Sequence, residues 1–227
     1  MKRSKRYVAL ATKIEKGKIY SIAEAIKILK SDKLKFDPSV EIHLRLGIDP
    51  KKGDQIVRGV VQIPHGTGKT KKVIAFVSPD QEKDAQSAGA DIIGTEEVIK
   101  NIKQTGKINF DVAIATPVMM KKIAPIAKIL GQKGLMPNPK TETIGPDVKK
   151  MIQGVKAGKA TFKNDDSGNV HALVGKISFL ENNLIENVQA FIQAVKKAKP
   201  ATSKGTYIKN AVICTSMGPG LKINTNL

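Results

Sequence analysis

Hydrophobic residues follow two rhythms along this chain, and the points where the rhythm changes divide it. From Val40 to Ile48 they alternate strictly. Val40, Ile42, Leu44, Leu46 and Ile48 share one face, and Glu41, His43, Arg45 and Gly47 share the other, the period of a half-buried strand. At Val73 to Val77 and Asp111 to Ala115 the alternation disappears. Continuous apolar runs suit strands covered on both faces, as in a parallel sheet flanked by helices. After Gly158 strand signals of the first kind return. Similar elements at both ends and different ones between predict an α+β domain formed discontinuously by residues 1–66 and 159–227, with a doubly wound α/β domain, 67–158, inserted into it.

Other signals fill in this outline. Ser21 and Glu24 form a capping box ahead of Ile22, Ile26 and Leu29, and Lys27, Lys30 and Lys33 close that helix at its negative end. Asp49, Pro50, Gly53 and Asp54 mark a turn into a second strand, Ile56 to Ile63. In the middle, a polar helical segment runs to Gly89, a short run follows at Asp91 to Gly94, and Thr95 with Glu96 and Glu97 opens another helix. Met119, Ile123, Ile126, Ala127 and Leu130 then form a stripe expected to stop at Gly131. Asp165, Asp166, Ser167 and Gly168 separate runs at 160–163 and 169–179, the punctuation of a hairpin. Leu184, Ile185, Val188, Phe191, Ile192 and Val195 step through a helix ended by Pro200, and Tyr207 to Thr215 is a last strand. Residues 1–18 hold seven basic side chains, one acid and little helical stripe, and read as a solvated or RNA-contacting arm.

Charge narrows the function. The 227 residues carry 39 Lys and Arg against 20 Asp and Glu, a formal +19. The two outer segments hold 24 basic and 11 acidic residues, and residues 67–158 hold 15 and 9, so the balance is 24 − 11 = +13 outside and 15 − 9 = +6 inside. A polyanion site belongs mainly to the outer domain. With no Trp and only nine Phe and Tyr, a stacking platform for single strands is poorly supplied, and structured RNA fits better. No apolar stretch approaches the roughly 20 residues of a membrane span. Lys13, Glu15 and Lys16 interrupt any secretory core at the amino end, so the cytosol is the expected compartment.

Catalytic motifs are wanting. Gly66-Thr67-Gly68-Lys69-Thr70 resembles the end of a phosphate loop, yet Ile63 stands where that motif needs glycine, and a strand follows instead of a helix. An interdomain hinge explains it better. Ser78-Pro79-Asp80 after the first buried run offers no dinucleotide fingerprint. His43, His65 and His171 lie in separate segments, and Cys214 is the only cysteine, so neither a disulfide nor a thiolate zinc site is expected, and no metal or cofactor. Asp165 and Asp166 are turn residues, and Met119 and Met120 core. Cys214-Thr215-Ser216-Met217-Gly218-Pro219-Gly220 couples hydroxyls, a soft apolar side chain and a glycine-rich turn. Such a turn lets backbone approach a sugar or phosphate, while hydroxyls pair with a ribose 2′-OH. An ordinary Gly-Pro turn is the alternative.

Three segments carry a resemblance: KFDPSVEIHLRLGIDPKK at 35–52, MMKKIAPIAKILGQKGLMPNP at 119–139 and TSMGPG at 215–220. In this order they resemble the L-one family of bacterial large-subunit ribosomal proteins, end to end. The resemblance implies a discontinuous α+β domain that binds large-subunit rRNA at the mobile stalk, and an inserted three-layer Rossmann-like α/β domain that holds no nucleotide. It implies RNA contacts at Lys35, Phe36, Ser39, Glu41, Arg45, Asp166, Ser167, Asn210, Ser216, Met217 and Gly218. The family often has threonine where Ser216 stands, and the hydroxyl is kept. Glu41 would accept from ribose hydroxyls or orient a neighbouring Arg. The expected partners are the ribosome, its large-subunit rRNA, exit-site tRNA and the chain's own operon mRNA, with release of deacylated tRNA and translational repression as functions. No membrane or small-molecule substrate is expected. Two other classes compete: a nucleotide-dependent enzyme using the α/β domain, and a nonspecific basic nucleic-acid binder.

Overall fold

The computed structural model describes residues 3–15, 17–32 and 34–225; Lys16 and Lys33 lie outside the described residues. The chain divides into two compact units, one formed by the residues up to Gly68 and from Ala160 onward, the other by Lys69–Lys159. Each is taken by itself.

The outer unit begins with a helix, α1 (Lys5–Ala11), inside the segment that reads from sequence as a solvated or RNA-contacting arm with little helical stripe. Only Leu10 is buried, so no stripe announces it. Local caps and one ion pair hold it instead: the Ser4 hydroxyl accepts from the Tyr7 N–H at 3.3 Å, and Arg6 pairs with Asp32. The capping box forms as expected on α2 (Ile22–Lys30), which buries Ile22, Ala25, Ile26 and Leu29. Alternation becomes β1 (Ser39–Leu46), whose even-numbered side chains are at most 1% exposed. A single turn of 3₁₀ helix at Gly53–Gln55 leads to β2 (Arg58–Gln62).

The inserted unit has the three layers that unalternating strands require. β3 (Val73–Phe76) is followed by α3 (Glu82–Ser87), β4 (Ile92–Ile93), α4 (Glu96–Thr105) and β5 (Val112–Ala115). All pairing is parallel, in the order β4-β3-β5. On one face Ile74 and Phe76 pack with Ile99, Ile102, Met119, Ile123, Ile126 and Leu130. On the other, Val73, Ala75 and Ile114 pack with Ala85, Val148, Ile152 and Val155. The stripe from Met119 is not one helix. Pro125 supplies no N–H to continue the ladder, so α5 (Met120–Ile123) tightens into a 3₁₀ turn at Ala124–Ile126 and resumes as α6 (Ala127–Gln132). Gly131 lies inside α6, and the left-handed glycine beyond it is Gly134. A further helix, α7 (Val148–Lys156), covers the second face.

The chain then re-enters the outer unit with β6 (Lys159–Lys163), β7 (Asn169–Lys176), α8 (Glu181–Lys197), β8 (Ile208–Thr215) and β9 (Leu221–Lys222). The expected hairpin between β6 and β7 is confined to its turn: Asn164 bridges Val170 in antiparallel fashion and the Asp165 N–H donates to the Asn169 carbonyl at 2.8 Å, but the two strands do not continue as a ladder. β6 joins β2 in a two-stranded sheet, while β7 joins a four-stranded sheet ordered β7-β1-β8-β9. Asn164 and Asp165 turn the corner: Asn164 Oδ1 accepts from the Val57 N–H at 2.8 Å, and Asp165 Oδ1 accepts from the Ser167 and Asn169 N–H groups at 2.9 and 2.7 Å. The turn residues are spent on changing sheets. α2 and α8 cover one face of the four-stranded sheet, with Phe191, Ile192 and Val195 at 0% exposure against Ile42, Leu44 and Ile213. The opposite face remains open.

Candidate nucleic-acid interface

Register decides which side chains share that open face. β1 is the second strand of four, antiparallel to β7 on one side and β8 on the other. Directly opposed residues in an antiparallel pair point to the same side. Ser39 stands opposite Lys176; Glu41 opposite Leu173 and Cys214; His43 opposite His171 and Val212; Arg45 opposite Asn169 and Asn210. From Ser39 to Arg45 these rows extend over about 20 Å at the usual rise per strand residue.

Ten of the eleven residues singled out above fall at the two ends of this face, and Glu41 lies between them, opposite Leu173 and Cys214. At one end, the Ser216 N–H donates to the Ser39 carbonyl at 2.9 Å, prolonging the β1–β8 ladder into the Ser216–Gly220 loop. Lys176 Nζ donates to Ser39 Oγ at 3.0 Å. Lys35 and Phe36 precede β1 at this end, and Phe36 is 52% exposed. Their segment is pinned by Asp37, whose carboxylate accepts from the Ser178 N–H at 3.1 Å and from its hydroxyl at 2.8 Å. At the other end Arg45 donates to the Ser167 carbonyl and, at 3.2 Å, to Asn169 Oδ1, beside Asn210 on β8. Asp166 and Ser167 are exposed at the corner turn. Arg45 is thus committed to that turn and not oriented by Glu41.

The Ser216–Gly220 loop is unusual in two respects. Met217 is 79% exposed and has φ of 65°, the left-handed region that costs a non-glycine residue about 1–2 kcal/mol. A strained, solvent-facing apolar side chain contributes nothing to the core, and such strain concentrates at binding sites. The surroundings impose it. Arg6 donates to the Met217 carbonyl at 3.0 Å, the Gly218 N–H donates to the Thr215 carbonyl at 2.9 Å, and a Cβ on Gly218 would lie 2.2 Å from Thr215 Oγ1. Glycine at 218 is therefore required by close approach.

Between the two ends lies a polar cluster that reading by segment missed. His43 and His171, distant in sequence, face each other with Nδ1 atoms 2.8 Å apart, and His43 Nε2 lies 3.2 Å from Cys214 Sγ. Strand alternation places His43 on the face of Glu41 and Arg45, but its neighbours follow only from the pairing of β7 and β8. Burial, and then the neighbouring His171, pulls the His43 pKa down against the opposing pull of Glu41. Burial and the Glu41 charge push the Cys214 thiol up. Both groups are neutral at pH 7. Asp165, by contrast, is held down to about 2, chiefly by the Asn169 N–H.

A face of this kind, broad, open, polar and framed by basic side chains on a +19 chain, has the chemistry of a surface suited to a polyanionic macromolecule. Comparison with known proteins gives the family. The sequence profile of the Ribosomal protein L1p/L10e family matches residues 28–219. The chain is 48% identical over 225 residues to the large ribosomal subunit protein uL1 of Solibacter usitatus, covering 99% of this chain and 94% of that one. It is 46% identical over 226 residues to the same-named protein of Saccharopolyspora erythraea, covering 99% and 94%. With that of Macrococcus caseolyticus it shares 48% over 224 residues, 98% and 96% of the two chains. The chain belongs to the Ribosomal protein L1p/L10e family, the ribosomal protein family its sequence resembles, and is not an enzyme. That overturns the nucleotide-dependent alternative. Among the described residues no helix is long and apolar enough to cross a membrane.

Proposed function

We propose that this chain is a cytoplasmic constituent of the large ribosomal subunit that binds the mobile-stalk rRNA through the open face of the β7-β1-β8-β9 sheet. The observation that carries this reading is the exposed, strained Met217 in a loop laced to Ser39. Met217 offers apolar area to a ribose or base, Ser216 and Ser39 offer hydroxyls to 2′-OH groups, and Gly218 lets phosphodiester backbone approach. Lys35, Lys176 and Arg45 supply positive charge, Asn210 and Ser167 neutral hydrogen-bond partners at the far end, and Asp166 an acceptor for ribose hydroxyls. The outer unit, residues 1–66 with 159–227, is the RNA-binding domain in this reading, and 67–158 is an inserted domain.

Family membership supports two finer roles: assisting release of deacylated tRNA from the exit site, and repressing the chain's own operon mRNA where that RNA presents the same shape as the rRNA site. One competition titration tests the set. Labelled stalk rRNA fragment is bound to the full chain across a salt series and challenged with unlabelled own-mRNA leader or with unrelated RNA of equal length. The leader should displace the fragment and the unrelated RNA should not. Affinity should fall with salt as counterions are released, yet retain a salt-insensitive part from hydroxyl and apolar contacts. Loss of binding at high salt in parallel with unrelated RNA would leave only a nonspecific basic binder. Ribosomes lacking the protein should hold deacylated tRNA at the exit site for longer.

A further inference from the structure

We infer that Glu41, His43 and Cys214 form a binding site for one Zn²⁺ ion on the open face of the outer sheet. Glu41 and His43 are two residues apart on β1 and so share a face, and Cys214 stands opposite Glu41 on β8. His43 Nε2 lies 3.2 Å from Cys214 Sγ and 3.8 Å from Glu41 Oε2, and the three donor atoms all lie within 4.8 Å of one another. A tetrahedral zinc with ordinary Zn–N, Zn–O and Zn–S bonds holds its donors about 3.4–3.6 Å apart. The two His43 spacings bracket that range, and rotation of the Glu41 side chain brings its carboxylate, already within 4.8 Å of Cys214 Sγ, to the third donor position.

The donor chemistry selects the ion. Imidazole, thiolate and carboxylate together suit a borderline-soft divalent metal, whereas magnesium and calcium take oxygen alone. One thiolate and one carboxylate neutralise the two charges of the ion, and the Cys214 proton leaves to solvent on binding. Three protein ligands leave the fourth position to water. The outer shell is also present. A ligating histidine ordinarily gives its second ring nitrogen to a hydrogen-bond partner that fixes its orientation. Here His43 Nδ1 meets His171 Nδ1 at 2.8 Å, and His171 Nε2 lies 3.5 Å from Asp165 Oδ2. Leu173 and Val212 occupy the paired positions beside Glu41 and His43, flanking the donors with apolar side chains. The supporting line therefore runs across three strands, from Cys214 through His43 to His171, before ending at the corner turn.

The test is metal binding by the tag-free full chain without RNA, measured by competition with a chromophoric zinc chelator and by the absorption spectrum of the Co²⁺ form. One equivalent of zinc should bind, and Co²⁺ should show a thiolate charge-transfer band. Cys214→Ser should abolish the band, Glu41→Gln should weaken zinc binding at least tenfold, and His171→Ala should weaken it about 10–100-fold without removing the band. Zinc should raise the melting temperature of the wild type and leave that of Cys214→Ser unchanged, a comparison that stays valid if the variant is itself less stable. Absence of stoichiometric binding, a Co²⁺ form without the band, or zinc binding that survives Cys214→Ser unaltered would each overturn the assignment. None of these readouts depends on whether the face binds RNA.

Discussion

Asn187 is fully buried on α8 and holds three backbone groups from two other segments. Its Oδ1 accepts from the His65 N–H at 3.1 Å, and its Nδ2 donates to the carbonyls of Gly66 at 3.0 Å and Val174 at 2.8 Å. Asn187→Leu keeps the volume and removes all three bonds. The Val174 carbonyl is buried and would be stranded at about 1–3 kcal/mol; the His65 and Gly66 groups are only partly buried, can recover water, and lose about 0.5–1.5 kcal/mol each. Against this total of about 2–6 kcal/mol, the added apolar burial returns about 1–2 kcal/mol. A net loss of about 3 kcal/mol follows, which lowers the melting temperature by about 10 °C for a unit of this size. Asn187→Asp should be worse than Leu, because it turns a carboxylate toward two carbonyls that Nδ2 had satisfied. Urea unfolding of the full chain, followed by far-ultraviolet circular dichroism, measures both. A loss below about 1 kcal/mol for Leu, or an Asp variant as stable as wild type, would refute the claim that this one amide ties the linker at Gly66 to the sheet.

Met217→Gly should release backbone strain and stabilise the chain by up to about 1 kcal/mol in urea unfolding, while lowering affinity for the stalk rRNA fragment; unchanged affinity would remove Met217 from the interface. Asp165→Asn should reveal a pH-dependent contribution. The folded pKa of Asp165 is depressed to about 2, so its stabilising effect is complete above the ordinary carboxylate value near 4 and is lost as pH falls toward 2. Because the side chain is 38% exposed, solvent screening limits this effect to about 1 kcal/mol, seen as a wild-type-minus-variant difference at pH 7 that vanishes near pH 2. Joining Gly66 to Lys159 through a short Gly/Ser linker should give an outer unit that melts cooperatively and keeps most of the rRNA affinity. A cooperative melt without binding would move the site into the inserted unit.

The regular elements were readable where their signal is local. Strict alternation marks β1, a capping box marks α2, and steps of three and four mark α8. Partner choice is not local, and there the reading failed. The turn residues Asp165 to Gly168 look the same whether the strands on either side stay paired with each other or, as here, part after one bridge and join different sheets. Only Asn164 bonded to Val57 distinguishes the two, across 107 residues. α1 escaped notice because a helix of seven residues burying one side chain has no stripe to read. The two ends of the candidate interface came from a resemblance in motifs, whereas its middle, where His43 meets His171 and Cys214, depends on which strands lie beside β1.

The placement of β1 also dictates an order of events during synthesis. Its flanking strands are encoded far downstream: the contacts of His43 with His171 and Cys214 close loops of 128 and 171 residues. At about 5–20 residues per second, β1 waits roughly 10–30 s for β8 to emerge. The inserted unit draws its whole core from one uninterrupted stretch and can fold in that interval. The nascent chain therefore passes through a stage in which a finished middle is preceded by an apolar strand with both edges unpaired, the kind of segment that recruits other chains. A pulse of protease or a holdase chaperone applied to stalled translation intermediates should find β1 accessible until β8 has cleared the exit tunnel, and shielded immediately afterwards.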